Sequence, residues 1–197
     1  MKLILITYPD CFESEALILN ELFDKYTFGL HLRKPGASER EICQLLDQIK
    51  PAHYSKIVIH NHPEIARVYG IRIHTSGVFR DKIEGAVSTS FHSIEEAMQY
   101  DGVYEYVFLS PIFSSISKYG YEKNWNRGEL MNFLQKDRKT ELIALGGIDE
   151  NRITEVAEMG FDGCALLGAV WSNTNELDVI RSNFSNIYCN YQKLNHK

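Results

Sequence analysis

Histidines and glycines that follow short apolar runs are the residues best suited to chemistry in this chain. His92 follows one such run, and an imidazole titrates in the range needed for general acid–base catalysis near neutral pH. Gly146, Gly147 and Gly168 also follow apolar runs, and glycine lets backbone N–H groups approach an anion closely. These four residues are candidates for a proton shuttle and a phosphate site. The alternatives are a helix-capping or core histidine and a tight turn.

Cationic and hydroxyl side chains could add to an anion site. Arg33 comes just after the run FGLHL, where a guanidinium could clamp a phosphate or a carboxylate, or else form a surface ion pair. Ser115 and Lys118 lie in a long irregular stretch, 110–128, and could contribute a hydroxyl and an ammonium group; the alternative is a solvated loop. That stretch also carries aromatic residues, so it could close over a substrate or contact another subunit.

A metal site is a further candidate. His60, His62 and His74 lie at or near the ends of neighbouring apolar runs, and imidazole is a frequent zinc ligand. No carboxylate lies among them, and side chains on adjacent strands can diverge. We therefore expect no resident metal.

The elements that must position these residues alternate along the chain. Helical periodicity, with capping patterns at Ser14, Ser38 and Ser93, alternates with short β-type runs. The predicted strands are 3–7, 28–32, 56–60, 71–74, 84–88, 104–109, 141–145 and 162–166. The predicted helices are 14–25, 38–50, 63–69, one opening at 93, 129–136, 150–159 and 176–192.

Repeated β–α units predict a parallel sheet, because parallel strands need crossover connections. Eight units predict one compact (β/α)8 barrel domain over residues 1–197. An open doubly wound sheet is the alternative. A barrel carries its active site at the carboxyl ends of its strands, and the candidate residues follow predicted strands.

Composition excludes several functional classes. The chain has 197 residues, is 44% hydrophobic and carries a net charge of −5, which argues against sequence-independent nucleic-acid binding. No apolar run is long enough for a membrane helix, and MKLILIT is expected to be a first strand rather than a signal peptide. Four widely spaced cysteines without a CxxC pair fit a reducing cytoplasm. A small anionic substrate, with or without homo-oligomerisation, is the expected partner.

Taken together, these segments resemble the thiamine phosphate synthase/TenI superfamily of (β/α)8 barrels. The resemblance covers about residues 3–172 and is carried by six segments in order. They are HLRKP at 31–35, Asn61, SFHSIEEA at 90–97, SPIFSSISK at 110–118, LGGI at 145–148 and GCALLGAVW at 163–171. No single motif is decisive, but their order and spacing are specific.

The resemblance implies roles for individual residues. Gly146, Gly147 and Gly168 fall where the family binds a thiazole phosphate, and Ser115 and Lys118 fall in its phosphate loop. Five further positions correspond to substrate-binding or catalytic positions of the family. Arg33 and Asn61 fall where synthases bind pyrophosphate, and His31, which replaces the motif glutamine, is also expected to bind substrate. Ser90 and His92 match the family's SxH motif, and His92 falls at the proton shuttle proposed in TenI-type tautomerases.

Departures from the synthase pattern concern Mg²⁺. The family's QxRxK motif is HLRKP here, so the glutamine is His31 and the second cation is displaced. The two acidic positions that hold Mg²⁺ in synthases carry His62 and Phe79, and Asp81 would need a two-residue slip. Mg²⁺ prefers carboxylate oxygens. We therefore expect no cofactor, with Mg²⁺ required only if the chain is a synthase.

The resemblance thus implies an enzyme of thiamine biosynthesis that acts on a thiazole phosphate. The expected activity is that of a TenI-type carboxythiazole phosphate tautomerase with His92 as the proton shuttle. One alternative is thiamine phosphate synthase, a transferase. Another is a regulator that binds thiazole or thiamine phosphate without catalysis. A sugar-phosphate isomerase or aldolase on the same barrel is also open, because a shared fold does not fix function.

Overall fold

Eight short strands close into a parallel barrel in a computed structural model of the chain, which describes residues 1–80, 82–113, 125–172 and 174–195. Each strand pairs with its neighbours in sequence, and β8 pairs with β1 to complete the ring. The strands are β1 (Lys2–Ile6), β2 (Gly29–Leu32), β3 (Ile57–His60), β4 (Arg72–His74), β5 (Ser88–Phe91), β6 (Tyr106–Leu109), β7 (Glu141–Leu145) and β8 (Gly163–Leu166). The predicted (β/α)8 barrel is confirmed, and the open sheet is excluded.

Helices follow most strands and cover the outside of the barrel. They are α1 (Glu15–Lys25), α2 (Glu39–Gln48), α3 (Pro63–Tyr69), α4 (Ile94–Gln99), α5 (Arg127–Leu134), α6 (Ile153–Met159), α7 (Gly168–Trp171) and α8 (Leu177–Asn195). Single 3₁₀ turns occupy Pro51–Lys56 and Gly77–Phe79. Among the described helices, none has both the length and the apolar composition needed to cross a membrane.

The predicted helix caps are mostly present. Ser38 and Glu41 form the complete capping box of α2, and Ser93 accepts a hydrogen bond from the Glu96 N–H at the start of α4. Ser14 lies at the cap position of α1, but its side chain makes no capping hydrogen bond. At the start of α4, the Glu96 carboxylate also accepts a hydrogen bond from the backbone N–H of His92. Helix α4 is thereby joined to the residue that leaves β5.

Strand alternation separates two apolar regions. In β2, for example, Leu30 and Leu32 face the helices, while His31 faces the barrel interior with the inward residues of its neighbours. The larger core lies between the strands and the helices. The smaller interior cluster consists of Ile4, Ile6, Tyr106, Phe108, Ile143 and Ala165.

Two predicted element boundaries are wrong. The fifth strand was expected at 84–88 but runs over Ser88–Phe91, because residues 84–87 form a turn in which Gly85 has a φ of 76°. Helix α6 begins at Ile153 rather than at 150, because the Asp149 carboxylate accepts from the N–H groups of Asn151 and Arg152 in a turn before the helix.

A buried ion pair fixes the segment after β2. The Lys34 ammonium lies 2.6 Å from a carboxylate oxygen of Glu15 in α1, and both side chains are fully buried. Lys34 also donates to the backbone carbonyls of Tyr8 and Asp10. Glu15, Tyr8 and Asp10 thus hold the ammonium group between the loop after β1 and the start of α1.

Burial already raises the pKa of Glu15 to about 7, so removal of the lysine should leave a buried carboxyl group without its hydrogen-bonded partner. We predict that Lys34→Met lowers the free energy of unfolding by about 3–5 kcal/mol. Urea denaturation measures this, with Arg67→Ala as the control, because Arg67 pairs with Glu64 on the surface and its loss should cost less than about 1 kcal/mol. If Lys34→Met lowers the free energy of unfolding as little as the control does, the ion pair does not hold the segment after β2.

Candidate active site at the carboxyl ends of the strands

The interior of the barrel is apolar on one side and polar on the other. Strands β1, β6, β7 and β8 supply the interior apolar cluster. Strands β2 to β5 instead turn imidazole and hydroxyl groups inward, from His31, His60, His74, Ser88 and Ser90. The Phe108 ring packs against the rings of His31 and His74, at centroid distances of 4.8 and 5.3 Å, and marks the boundary.

Three histidines meet inside the polar half. Their ligand-capable nitrogens all lie within 4.8 Å of one another, and Nδ1 of His31 lies 2.9 Å from Nε2 of His60. His74 contacts Ser88 through Nδ1 at 2.8 Å and Ser90 through Nε2 at 3.2 Å. We call His31, His60 and His74 the histidine cluster.

Burial keeps the histidine cluster uncharged. His31 and His74 are buried and His60 is half-buried, and desolvation lowers the pKa of all three rings. The pKa of His74 falls to about 3, with the positive charge of Arg33 as a second cause. The rings are therefore neutral hydrogen-bonding groups at neutral pH.

Sequence reasoning identified the members of this cluster but not their grouping. His31 was assigned to substrate binding, and His60, His62 and His74 were grouped as metal-ligand candidates. The structure brings His60 and His74 together with His31, whereas His62 caps α3 and faces Glu39 at 3.7 Å. The period-2 alternation of β2 and β3 could have indicated this, because His31 and His60 share a face with the inward residues and His62 lies beyond the strand.

Arg33 and Asn61 lie at the mouth of the barrel beside the cluster. Arg33 is exposed, and its positive charge lowers the pKa of both His60 and His74. Asn61 adopts a left-handed conformation with a φ of 60°, and its amide binds Ser76 twice, at 3.1 and 3.0 Å. The Asn61 side chain thus holds the loop after β4 in place.

His92 projects from the end of β5 and is held at one ring nitrogen. Its Nδ1 lies 2.7 Å from the carbonyl oxygen of Ser110, at the end of β6. A carbonyl oxygen only accepts, so Nδ1 carries the proton and the neutral ring has its lone pair on Nε2. The side chain is exposed. This arrangement makes His92 a proton acceptor through Nε2.

The glycine pair after β7 is required by a close approach of two loops. Gly146 and Gly147 have φ values of 99° and 64°. A Cβ atom at Gly146 would lie 2.9 Å from Cα of Pro111, and one at Gly147 would lie 2.9 Å from the carbonyl oxygen of Phe113. The tight turn that we considered as an alternative is therefore real. This turn packs against the loop after β6. That loop begins with Ser110, whose carbonyl oxygen is the partner of His92.

Gly168 has a different environment. It opens α7, and a Cβ atom there would meet nothing within 4 Å among the described residues. The other two members of the predicted phosphate site, Ser115 and Lys118, lie outside the described residues. Phosphate binding by Gly146, Gly147, Gly168, Ser115 and Lys118 stays a prediction.

The positions that resemble the Mg²⁺ site do not fit Mg²⁺. His62 offers an imidazole that faces Glu39, and Phe79 offers an exposed apolar ring. Neither supplies a carboxylate oxygen, the ligand type that Mg²⁺ prefers. The family's QxRxK motif has a second cation after the arginine. The lysine of HLRKP, Lys34, is buried in its pair with Glu15, so it does not supply that cation at the mouth of the barrel. Asp81 lies outside the described residues.

The fold and these groups define a (β/α)8 barrel with its polar site at the carboxyl ends of the strands. A family model for thiamine monophosphate synthase matches residues 3–170. The chain therefore belongs to the thiamine monophosphate synthase family, as the sequence analysis predicted.

Similar proteins carry the same family name. Thiamine phosphate pyrophosphorylase of Bacteroides thetaiotaomicron superposes with a TM-score of 0.83 at 29% identity, covering 98% of each chain. Thiamine-phosphate synthase of Clostridium tetani is 26% identical over 187 residues, covering 85% of this chain and 87% of that protein. Thiamine-phosphate synthase of Listeria welshimeri is 31% identical over 86 residues, which span 43% of this chain and only 41% of the relative.

The space at Gly168 gives a test of the phosphate site that leaves the fold intact. We predict that Gly168→Ala weakens binding of a thiazole phosphate by about tenfold or more, because the methyl group would occupy the open space beside the backbone. Its free energy of unfolding should change by less than about 1 kcal/mol, since the position has no left-handed φ.

Calorimetric titration measures the affinity, and Gly128→Ala in α5 is the matched control because a Cβ there also makes no close contact. Equal affinities for Gly168→Ala and the control would remove Gly168 from the phosphate site.

Proposed function

We propose that this protein is a TenI-type tautomerase that converts a carboxythiazole phosphate to its aromatic isomer. The observation that carries the proposal is the geometry of His92, whose Nδ1 is fixed by the Ser110 carbonyl so that Nε2 can accept a proton. A proton transfer between two carbon atoms needs one such group and no departing anion.

The reaction is an isomerisation in which a proton leaves one ring carbon and a proton is added at the exocyclic carbon. Nε2 of His92 takes the first proton as the C–H bond breaks, and the electron pair moves through the ring toward the exocyclic double bond. The imidazolium then returns a proton to the exocyclic carbon, and the ring becomes aromatic. A histidine suits both steps because it exchanges protons near neutral pH.

The remaining groups would bind and orient the substrate. The phosphate would accept hydrogen bonds from the backbone N–H groups of Gly146, Gly147 and Gly168. Ser115 and Lys118 would bind the same phosphate. Arg33 at the mouth would pair with the substrate carboxylate. We assign His31 in β2, Asn61 after β3 and Ser90 in β5 to substrate contact, as the sequence predicted.

Thiamine phosphate synthase is the second candidate function. It is favoured by the names of the relatives, including the Bacteroides thetaiotaomicron protein that matches along nearly the whole chain. That reaction joins a thiazole phosphate to hydroxymethylpyrimidine pyrophosphate. We rank it second because pyrophosphate departure depends on charge neutralisation, and the described positions offer His62 and Phe79 where carboxylates are needed. A regulator that binds the same ligands without turnover is the third candidate.

The proposal assigns no role to nucleic acid or membrane, and it places the enzyme in the cytoplasm. Its net charge of −5 agrees with a small anionic substrate held by local cations rather than with a polyanion.

His92 provides the direct test of the mechanism. We predict that His92→Gln lowers kcat for tautomerisation by at least about 100-fold while the affinity for thiazole phosphate changes less than a few-fold, because glutamine cannot exchange the proton. Glu95→Gln in α4, three residues further along the chain, is the control and should retain activity. Turnover by His92→Gln within a few-fold of wild type would rule out His92 as the shuttle.

A further inference from the structure

The histidine cluster has the chemistry of a metal site that the family resemblance does not assign. Three imidazole rings from three adjacent strands each place one nitrogen within 4.8 Å of a nitrogen of the other two. In a tetrahedral zinc site with Zn–N distances of about 2.0–2.1 Å, ligand nitrogens lie about 3.4 Å apart. The rings therefore need to move by little more than about 1 Å to surround one ion.

The outer ring nitrogens already have partners of the kind that metal-bound histidines use. His31 Nε2 lies 2.6 Å from the Tyr106 hydroxyl, and His74 Nδ1 lies 2.8 Å from the Ser88 hydroxyl. When a hydroxyl accepts the outer N–H, the inner nitrogen turns its lone pair to the centre, and such partners orient the ligand rings.

One member of the cluster is less buried than the other two. His60 is the half-buried member, and its side of the cluster is open toward the mouth. Three protein ligands and one accessible position are typical of a zinc site that binds water or an anion.

The charges around the cluster define the class of ion. Arg33 and Arg72 both act on these rings as positive charges, and no carboxylate belongs to the cluster within the described residues. A hard ion such as Mg²⁺ is therefore disfavoured, whereas zinc-type ions bind well to imidazole. An oxygen anion in the fourth position would offset the charge of the two arginines.

We propose that His31, His60 and His74 bind one divalent transition-metal ion of the zinc type, with a fourth position open toward the mouth of the barrel. The sequence alone led us to expect no resident metal, and the grouping of these rings is the reason for the change. The proposal does not depend on the tautomerase assignment, because it concerns binding of the ion alone.

Cobalt(II) is the first probe, since its visible spectrum reports coordination number. Protein stripped with a chelator is titrated with Co²⁺ and then with Zn²⁺. We expect one equivalent of Co²⁺ to give the intense bands of a four- or five-coordinate site, and Zn²⁺ to remove them. A six-coordinate spectrum, or no saturable binding, would overturn the proposal.

Variants locate the site. His60→Gln, at the most accessible member of the cluster, should weaken Co²⁺ binding at least about 100-fold, and Zn²⁺ should no longer raise its Tm. His62→Gln is the matched control, because this neighbouring histidine faces Glu39 instead, and it should bind as wild type does. Equal binding by both variants would contradict the assignment.

A crystal of the wild-type protein soaked in Zn²⁺ makes the test independent of variant folding. Anomalous diffraction at the zinc edge should show a peak within bonding distance of all three histidines. A peak at another position with none in the cluster would overturn the proposal.

Discussion

Inward alternation along a closed ring of strands is the constraint on which the site depends. Each strand must turn every second residue into an interior that holds only about twelve side chains, so each inward residue matters. In β1, β6, β7 and β8 the inward side chains are aliphatic and aromatic. The inward side chains of β2 to β5 include imidazole and hydroxyl groups. Phe108 packs between the two halves. The polar half stays stable because its polar groups bond one another and its rings stay neutral.

Two loop contacts connect this interior to the chemistry at the mouth. The loop after β6 passes so close to Gly146 and Gly147 that side chains at either position would clash with it. The same loop supplies the Ser110 carbonyl that sets the proton on His92. Gly146 and Gly147 therefore have two roles. They allow the close approach of the loop that holds His92, the proposed proton shuttle, and they are proposed to bind the phosphate.

Metal chemistry distinguishes this chain from the synthase pattern it resembles. The positions that resemble Mg²⁺ ligands carry His62 and Phe79, and the cation expected near Arg33 is buried against Glu15. Under the proposed function these changes matter little, because a proton transfer between carbon atoms has no departing pyrophosphate for Mg²⁺ to neutralise. The imidazole-rich interior would favour a softer ion than Mg²⁺.

The barrel could be predicted because four strands, β1, β6, β7 and β8, are largely apolar on both faces and β–α alternation is regular. The fifth strand was misplaced for a physical reason: Ser88 and Ser90 point into the polar half, so Ser88–Phe91 lacks the apolar signature of a buried strand. Arg33, Asn61 and His92 each follow the end of a strand, as the sequence predicted. The histidine cluster was not predicted. Strand alternation indicates that His31 and His60 face inward, but their meeting with His74 at one level of the barrel depends on inter-strand register, which a single sequence does not specify.

The most direct test is a paired turnover assay on the wild-type protein. One arm supplies thiazole phosphate and hydroxymethylpyrimidine pyrophosphate, with and without Mg²⁺, and the other supplies the unaromatised carboxythiazole phosphate. The account predicts conversion of the carboxythiazole at the same rate with and without Mg²⁺, and no thiamine phosphate. Thiamine phosphate formed only with Mg²⁺, with no tautomer conversion, would contradict it.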